Sequence, residues 1–168
     1  MSSLKVDTIT DRGGTGTPYI KDAVLQVKQG ILTTAFPTTT NGFVDITGLT
    51  VDITPKSTSS KIMVEVHIGS HDSNAASAII YKLRRNSTDI GISTESTTAS
   101  SENNCTFGAT INADRGEAIS MKFLDDPQTT SSITYGVQVK GFGDSVDINK
   151  RATLYSTIST ITVMEIGG

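Results

Sequence analysis

The residues that could do chemistry are few. The two imidazoles, His67 and His71, sit in "HIGSH". On a strand they share a face about 13 Å apart at ~3.3 Å per residue, too far to hold one metal. Both are expected to face solvent; around a trimer axis each would instead build a ring of three imidazoles, an ion site. Asp144, Asp147 and Asn149 in "GFGDSVDIN" are oxygen donors of the kind that hold Ca²⁺. Their loop lacks the twelve-residue spacing with a terminal Glu, so a turn is expected. Asp125 and Asp126 are adjacent, so on a strand they point to opposite faces and cannot work as an acid/base pair. Ahead of Pro127 they read as a turn.

Two further patterns fail on context. "RGGTGTP" is rich in Gly, but a phosphate loop needs a strand before it and a helix after it, and Pro18 follows instead. No Ser sits in a G-x-S-x-G elbow. The single Cys105 excludes an intrachain disulfide framework and, in "NCTFGATI", reads as a small core residue. The expectation is a non-enzyme with no catalytic residue, no cofactor and no metal.

Composition agrees with that reading. The 168 residues suffice for one domain; 36% are apolar, 5% aromatic, and Trp is absent. Thr outnumbers Ser and the strong helix formers are sparse, which suits pleated, half-exposed surfaces. The net charge of −3 gives no electrostatic footprint for nucleic acid. The one basic cluster, Lys82, Arg84 and Arg85, reads as a solvated strand end. Met1 opens a polar segment, and no apolar run is long enough for a signal peptide or a bilayer span.

Period-two alternation governs the chain from about residue 23. "KIMVEVHI" places Ile62, Val64, Val66 and Ile68 on one face. "AIIYKLRR" does the same with Ile79, Tyr81 and Leu83, "EAISMKFL" with Ile119, Met121 and Phe123, and "SITYGVQVKG" with Ile133, Tyr135, Val137 and Val139. Turn signals separate these runs at Asn41-Gly42, Thr47-Gly48, Pro55, Arg85 to Asp89, Asp114 to Gly116 and Asp125 to Pro127. Eight to ten strands of this kind predict an all-β, antiparallel two-sheet sandwich of jelly-roll type over 22–168. The polar stretch Ile92 to Asn104 predicts an exposed loop. "STISTITVMEIGG" breaks the rule, with Ile158, Met164 and Ile166 on one face and Ile161 and Val163 on the other. A strand apolar on both faces needs cover on both, so either it sits centrally in the sandwich or its second face, with Ile161 and Val163, meets another chain at a subunit interface.

Residues 1–21 cannot fold alone. Leu4, Val6 and Ile9 in "LKVDTI" can add a strand to a neighbour's sheet edge, and Gly13, Gly14 and Gly16 supply a hinge before Pro18. The segment is therefore expected to be an anchoring arm, ordered on its partner.

"LKVDTITDRGGTGTP" resembles the N-terminal segment of virion appendage proteins from tailed phages, cyanophages especially. "DITPKSTSSKIMVEVHIG", "YKLRRNSTDIG" and "STISTITVMEIGG" resemble β-rich modules of phage tail fibres and capsid fibres. The resemblance implies a homotrimer that reaches the virion after synthesis in the host cytoplasm, attached to other head or tail proteins by its N-terminal segment. It also implies that loops are presented outward to the host surface, where a glycan is the expected ligand, with no nucleic acid or membrane as partner. Glu95, Ser96, Asn103, Asp144, Asp147 and Asn149 are the loop residues expected there, with Tyr135 or Tyr155 as a stacking platform, whereas simple alternation turns both tyrosines into the core. The chain has no long shaft between anchor and tip, so the alternative is a capsid decoration or cement protein that stabilises the head lattice.

Overall fold

The computed structural model describes residues 22–39, 41–73, 77–95, 103–111, 116–142, 145–151 and 153–168. The anchoring-arm residues Leu4, Val6, Ile9, Gly13, Gly14 and Gly16 lie outside them. Within them every regular element is a strand. Eight long ones carry the fold: β1 (Val24–Leu32), β3 (Val44–Ile53), β4 (Lys61–Ser73), β5 (Ser77–Arg85), β7 (Phe107–Ile111), β8 (Glu117–Asp125), β9 (Ile133–Gly141) and β13 (Ser159–Ile166). Short pieces fill the connections: β2 (Phe36–Thr38), β6 (Thr88–Ile90), β10 (Val146–Ile148), β11 (Lys150–Arg151) and β12 (Tyr155–Ser156). Those short pieces raise the number of strands above the eight to ten that alternation reveals.

All pairings are antiparallel. The first sheet runs β1-β13-β4-β8, with β10 and β2 extending it beside the far end of β4. The second runs β3-β9-β5-β7, with β6 hairpinned onto the end of β5. Counting only the eight long strands, these orders are first-eighth-third-sixth and second-seventh-fourth-fifth. That is the strand order of a jelly roll, two Greek keys wrapped into one sandwich.

Alternation decides which side faces in. Ile62, Val64, Val66 and Ile68 of β4 meet Ile79, Tyr81 and Leu83 of β5 and Tyr135, Val137 and Val139 of β9 across the gap, all but fully buried. Ile161 and Val163 belong to the same core at 0% exposure, so the expected subunit interface cannot use them. They sit centrally because β13 is flanked by β1 and β4. The face of β13 that turns outward carries Met164, in register with Val27 on β1 and Met63 on β4, which is in turn in register with Leu124 on β8. Val27 and Leu124 are about half exposed. Gly30 lets β1 close onto the second sheet: a Cβ there would stand 2.0 Å from the Thr50 carbonyl oxygen.

Polar groups tie the two sheets together at one end and join segments of the first sheet at the other. Asp125, expected in a turn, is buried at the end of β8 and accepts hydrogen bonds from Tyr135 Oη at 2.6 Å and from Arg85 at 3.0 Å. Asp126 faces the other way and pairs with Lys61, as adjacent strand positions must. Glu165, fully buried, accepts from Gln26 and from the Lys56 backbone N–H, both at 2.6 Å. Asn149, expected in an exposed loop, is fully buried with φ 64. Its amide donates to the Leu32 and Thr34 carbonyls at 2.9 and 3.2 Å, and its carbonyl accepts from Ser159 Oγ at 2.6 Å. The donor set that suggested Ca²⁺ is thus partly consumed in joining chain segments.

Asn149→Gly keeps the left-handed backbone but removes three hydrogen bonds, two of them buried. It should cost about 2–3 kcal/mol in urea unfolding. Arg85→Met should cost about 2 kcal/mol, because it leaves the Asp125 carboxylate short of its cation.

Candidate functional site

The registers place the sandwich's loops at two opposite ends. Asp22 and Gly167 are joined by backbone hydrogen bonds beside Ile53 and Thr54, so both described termini emerge at one end. The last residues of β2, β4, β7 and β9 lie at the other. Asn103 is brought to that far end by a hydrogen bond from Lys140 Nζ at 2.8 Å.

There the outer face of the second sheet carries a patch of aromatics and amines. Lys82 Nζ stands 4.2 Å from the centre of the Phe43 ring. Lys140 Nζ stands 5.9 Å from the same ring and 5.0 Å from that of Phe142, which is 40% exposed. Asn41, Lys140, Gly141 and Phe142 line a shallow cleft of about 350 Å³. The sequence places these residues by simple means. Lys82 and Lys140 occupy outward positions of β5 and β9, and Phe43 and Phe142 cap the ends of neighbouring strands. Amines over ring faces gain electrostatic attraction and hold the rings open to solvent on the other side. Such a surface can bind an anionic or hydroxyl-rich ligand with an apolar face; it holds no paired nucleophile and base.

The basic cluster expected to be solvated is in fact paired. Lys82 and Arg84 both bind Asp89 across the β5–β6 hairpin, and Arg85 binds Asp125. Partial burial pushes the Asp89 carboxyl up, but the Lys82 hydrogen bond and the charges of Lys82 and Arg84 outweigh it and hold the carboxyl below its usual range.

No protein-family profile matches the chain, and no curated protein matches it either. Two solved structures are similar over the whole chain. A structure of the infectious bursal disease virus Gx strain aligns with 12% identity and a TM-score of 0.38. The VP2 subviral particle of infectious bursal disease virus aligns with 11% identity and a TM-score of 0.40. The chain spans 43% and 42% of those two chains. Likeness of this degree carries no functional argument, and the jelly-roll assignment rests on strand order.

The loop residues singled out from sequence scatter. Glu95 is exposed and Asn103 half-buried beside Lys140, whereas Asp147 lies within β10 and Asn149 is internal. Ser96 and Asp144 fall outside the described residues. Tyr135 is a core residue and Tyr155 is 44% exposed. Cys105 is half-buried just ahead of β7, rather than within the core. Phe43, Lys140 and Phe142 were not legible as a site. The available signal was Phe142 itself, a large ring between two glycines, where a plain turn has no need of one.

His71 also departs from expectation. A register shift between Ile68 and His71 breaks the alternation, so His67 stays exposed while His71 turns into the core. Its ring stacks on Tyr81 with Nδ1 2.7 Å from the phenol oxygen, and Nε2 has no partner among the described residues. Burial pushes its pKa down from 6.5, against the opposing pull of Glu117 and Asp72. The unfolded chain therefore binds a proton that the folded one refuses. Stability should be complete above pH 6.5 and fall as the pH drops through the folded pKa below it. The melting temperature of His71→Phe should fall less than that of the wild type between pH 7 and pH 5.

Proposed function

We propose that this chain is a non-enzymatic bacteriophage virion structural protein: a short trimeric fibre knob, attached to the particle by residues 1–21, with its opposite end contacting the host surface. The observation that carries the reading is the polarity of the sandwich. The arm joins at the end where Asp22 meets Gly167, and the Phe43–Lys140–Phe142 patch lies at the far end. A knob held at one end presents the other outward. Polar outer faces suit a component permanently exposed on a particle, and the resemblance of "LKVDTITDRGGTGTP" and "STISTITVMEIGG" to phage appendage segments supports the same assignment. Jelly rolls serve many functions, so the fold alone does not decide it. In a trimer, the rung of Val27, Met164, Met63 and Leu124 is what a neighbouring copy can reach, in place of Ile161 and Val163.

Three measurements test this. Fluorescently labelled protein should coat susceptible bacteria and block infection, and Lys140→Glu should weaken that coating about tenfold while the domain stays folded, with only a small fall in melting temperature. Light scattering should give three times the 17.7 kDa chain mass; the single-chain mass would remove the trimer. Deleting residues 1–20 should leave a folded domain that no longer enters particles. Particles that lack the protein, adsorb normally and lose genome on heating would point to a cement protein instead.

A further inference from the structure

The chain holds one Asn-Gly dipeptide, Asn41-Gly42, and nothing in the described fold requires that glycine. The left-handed φ angles among the described glycines belong to Gly48 and Gly91, so Gly42 adopts backbone that any residue can take. A Cβ placed on Gly42 meets nothing within 4 Å. At Gly30, Gly69 and Gly168, by contrast, a Cβ would stand 2.0, 2.1 and 1.9 Å from a backbone oxygen, and only glycine fits. What Gly42 supplies is chemical. It presents a backbone nitrogen with no side chain beside it to the carboxamide of the preceding asparagine.

The surroundings leave that pair room to react. Asn41 and Gly42 are both exposed, in the bend between β2 and β3 and outside either strand. Every other asparagine of the chain is followed by a residue with a side chain, which crowds the nitrogen. Several are also held: Asn86 accepts from the Thr134 N–H at 3.0 Å, Asn103 from Lys140 at 2.8 Å, and Asn149 is fully buried and bonded through both ends of its amide.

We propose that Asn41-Gly42 is a self-modifying site at which the Asn41 carboxamide becomes a carboxylate through a cyclic imide. Hydroxide takes the proton of the Gly42 N–H, and the nitrogen attacks Asn41 Cγ. The new C–N bond closes a five-membered ring, the Cγ–Nδ2 bond breaks, and Nδ2 takes up a proton and leaves as ammonia. Water then opens the ring at one of its two carbonyls. Opening at the backbone carbonyl routes the main chain through the side chain as isoaspartate; opening at Cγ gives ordinary aspartate. The balance is one water consumed and one ammonia released, with no oxidant or reductant.

Position gives the reaction a consequence, which rests on the host-contact reading above although the chemistry does not. Asn41 lines the cleft with Lys140, Gly141 and Phe142, and Gly42 leads directly into Phe43, whose ring lies against Lys82 and Lys140. Either product sets a negative charge beside Lys140, and isoaspartate also lengthens the backbone by one carbon just ahead of Phe43. The contact patch therefore loses positive potential and ring geometry as the protein ages.

The test incubates the full chain, folded, at mildly alkaline pH, then digests it and weighs the peptides. The peptide containing Asn41 should gain about 1 Da and separate into two species, while those containing Asn86, Asn103 and Asn149 stay unchanged. Gly42→Ala has both the space and the backbone it needs, so it should keep the melting temperature and slow the conversion about tenfold. No mass gain at Asn41, equal rates in Gly42→Ala, or conversion confined to protein unfolded in urea would overturn the proposal. Aged protein and Asn41→Asp should coat bacteria severalfold more weakly than fresh protein, and aged Gly42→Ala should coat as well as fresh. Conversion with undiminished coating would remove the consequence and leave the modification standing. Fresh protein that coats nothing would instead count against the host-contact reading, with the mass gain still deciding the chemistry.

Discussion

The Asp125 carboxylate lies at the boundary between two apolar sheet faces, and much of the molecule is arranged around keeping it there. Tyr135 crosses from the other sheet to donate to it, and Arg85 reaches it from the start of the β5–β6 hairpin. Burial first, then the hydrogen bond and charge of Asp125, raise the Tyr135 hydroxyl far above its ordinary range, so it remains a donor at every working pH. Two sheets that shared only apolar surface would be free to slide, because dispersion and hydrophobic burial have little directionality. A charge-assisted tie has one register. The bonds of Asp125 thus set the relative position of the sheets, Glu165 and Asn149 hold segments of the first sheet and its connections in place, and the attraction between the sheets comes from the Ile, Val and Leu core.

This division leaves the outer surfaces free to vary. The first sheet turns outward a rung of Val, Met and Leu among polar rows such as Gln29 with Thr162 and Glu65 with Lys122. The second turns outward nearly all its cations, each held by a carboxylate, an amide or a ring. Paired cations on a rigid face keep their geometry, since each side chain has already lost its rotational freedom before any ligand arrives.

Much of the fold was legible in the residues. Alternation in "KIMVEVHI" and "SITYGVQVKG" named the inward side chains correctly, and turn chemistry at Asn41-Gly42 and Arg85 to Asp89 marked where strands stop. The failures share one cause. His71, Asn149, Asp125, Ile161 and Val163 were judged from neighbours in sequence, while their surroundings are set by strands distant along the chain. A single irregularity after Ile68 inverted the face of His71, since one residue of slip in a period-two element reverses every side chain beyond it. The aromatic–amine patch was illegible for a related reason: Phe43, Lys82, Lys140 and Phe142 come from three separate runs and meet only once β3, β9 and β5 are side by side.

The sequence by itself determined the class of the molecule: antiparallel, two-layered, lean in aromatics, and without any local pattern of catalytic residues. It could do so because side-chain alternation and turn propensity are properties of adjacent residues. Only the tertiary structure decided which strands are neighbours, and with that the jelly-roll order, the internal place of β13, and the burial of His71 and Asn149. Polar side chains in a β protein find their partners across strands. Until the register is set, a histidine, an aspartate and a lysine in the sequence are equally free to be core, surface or site.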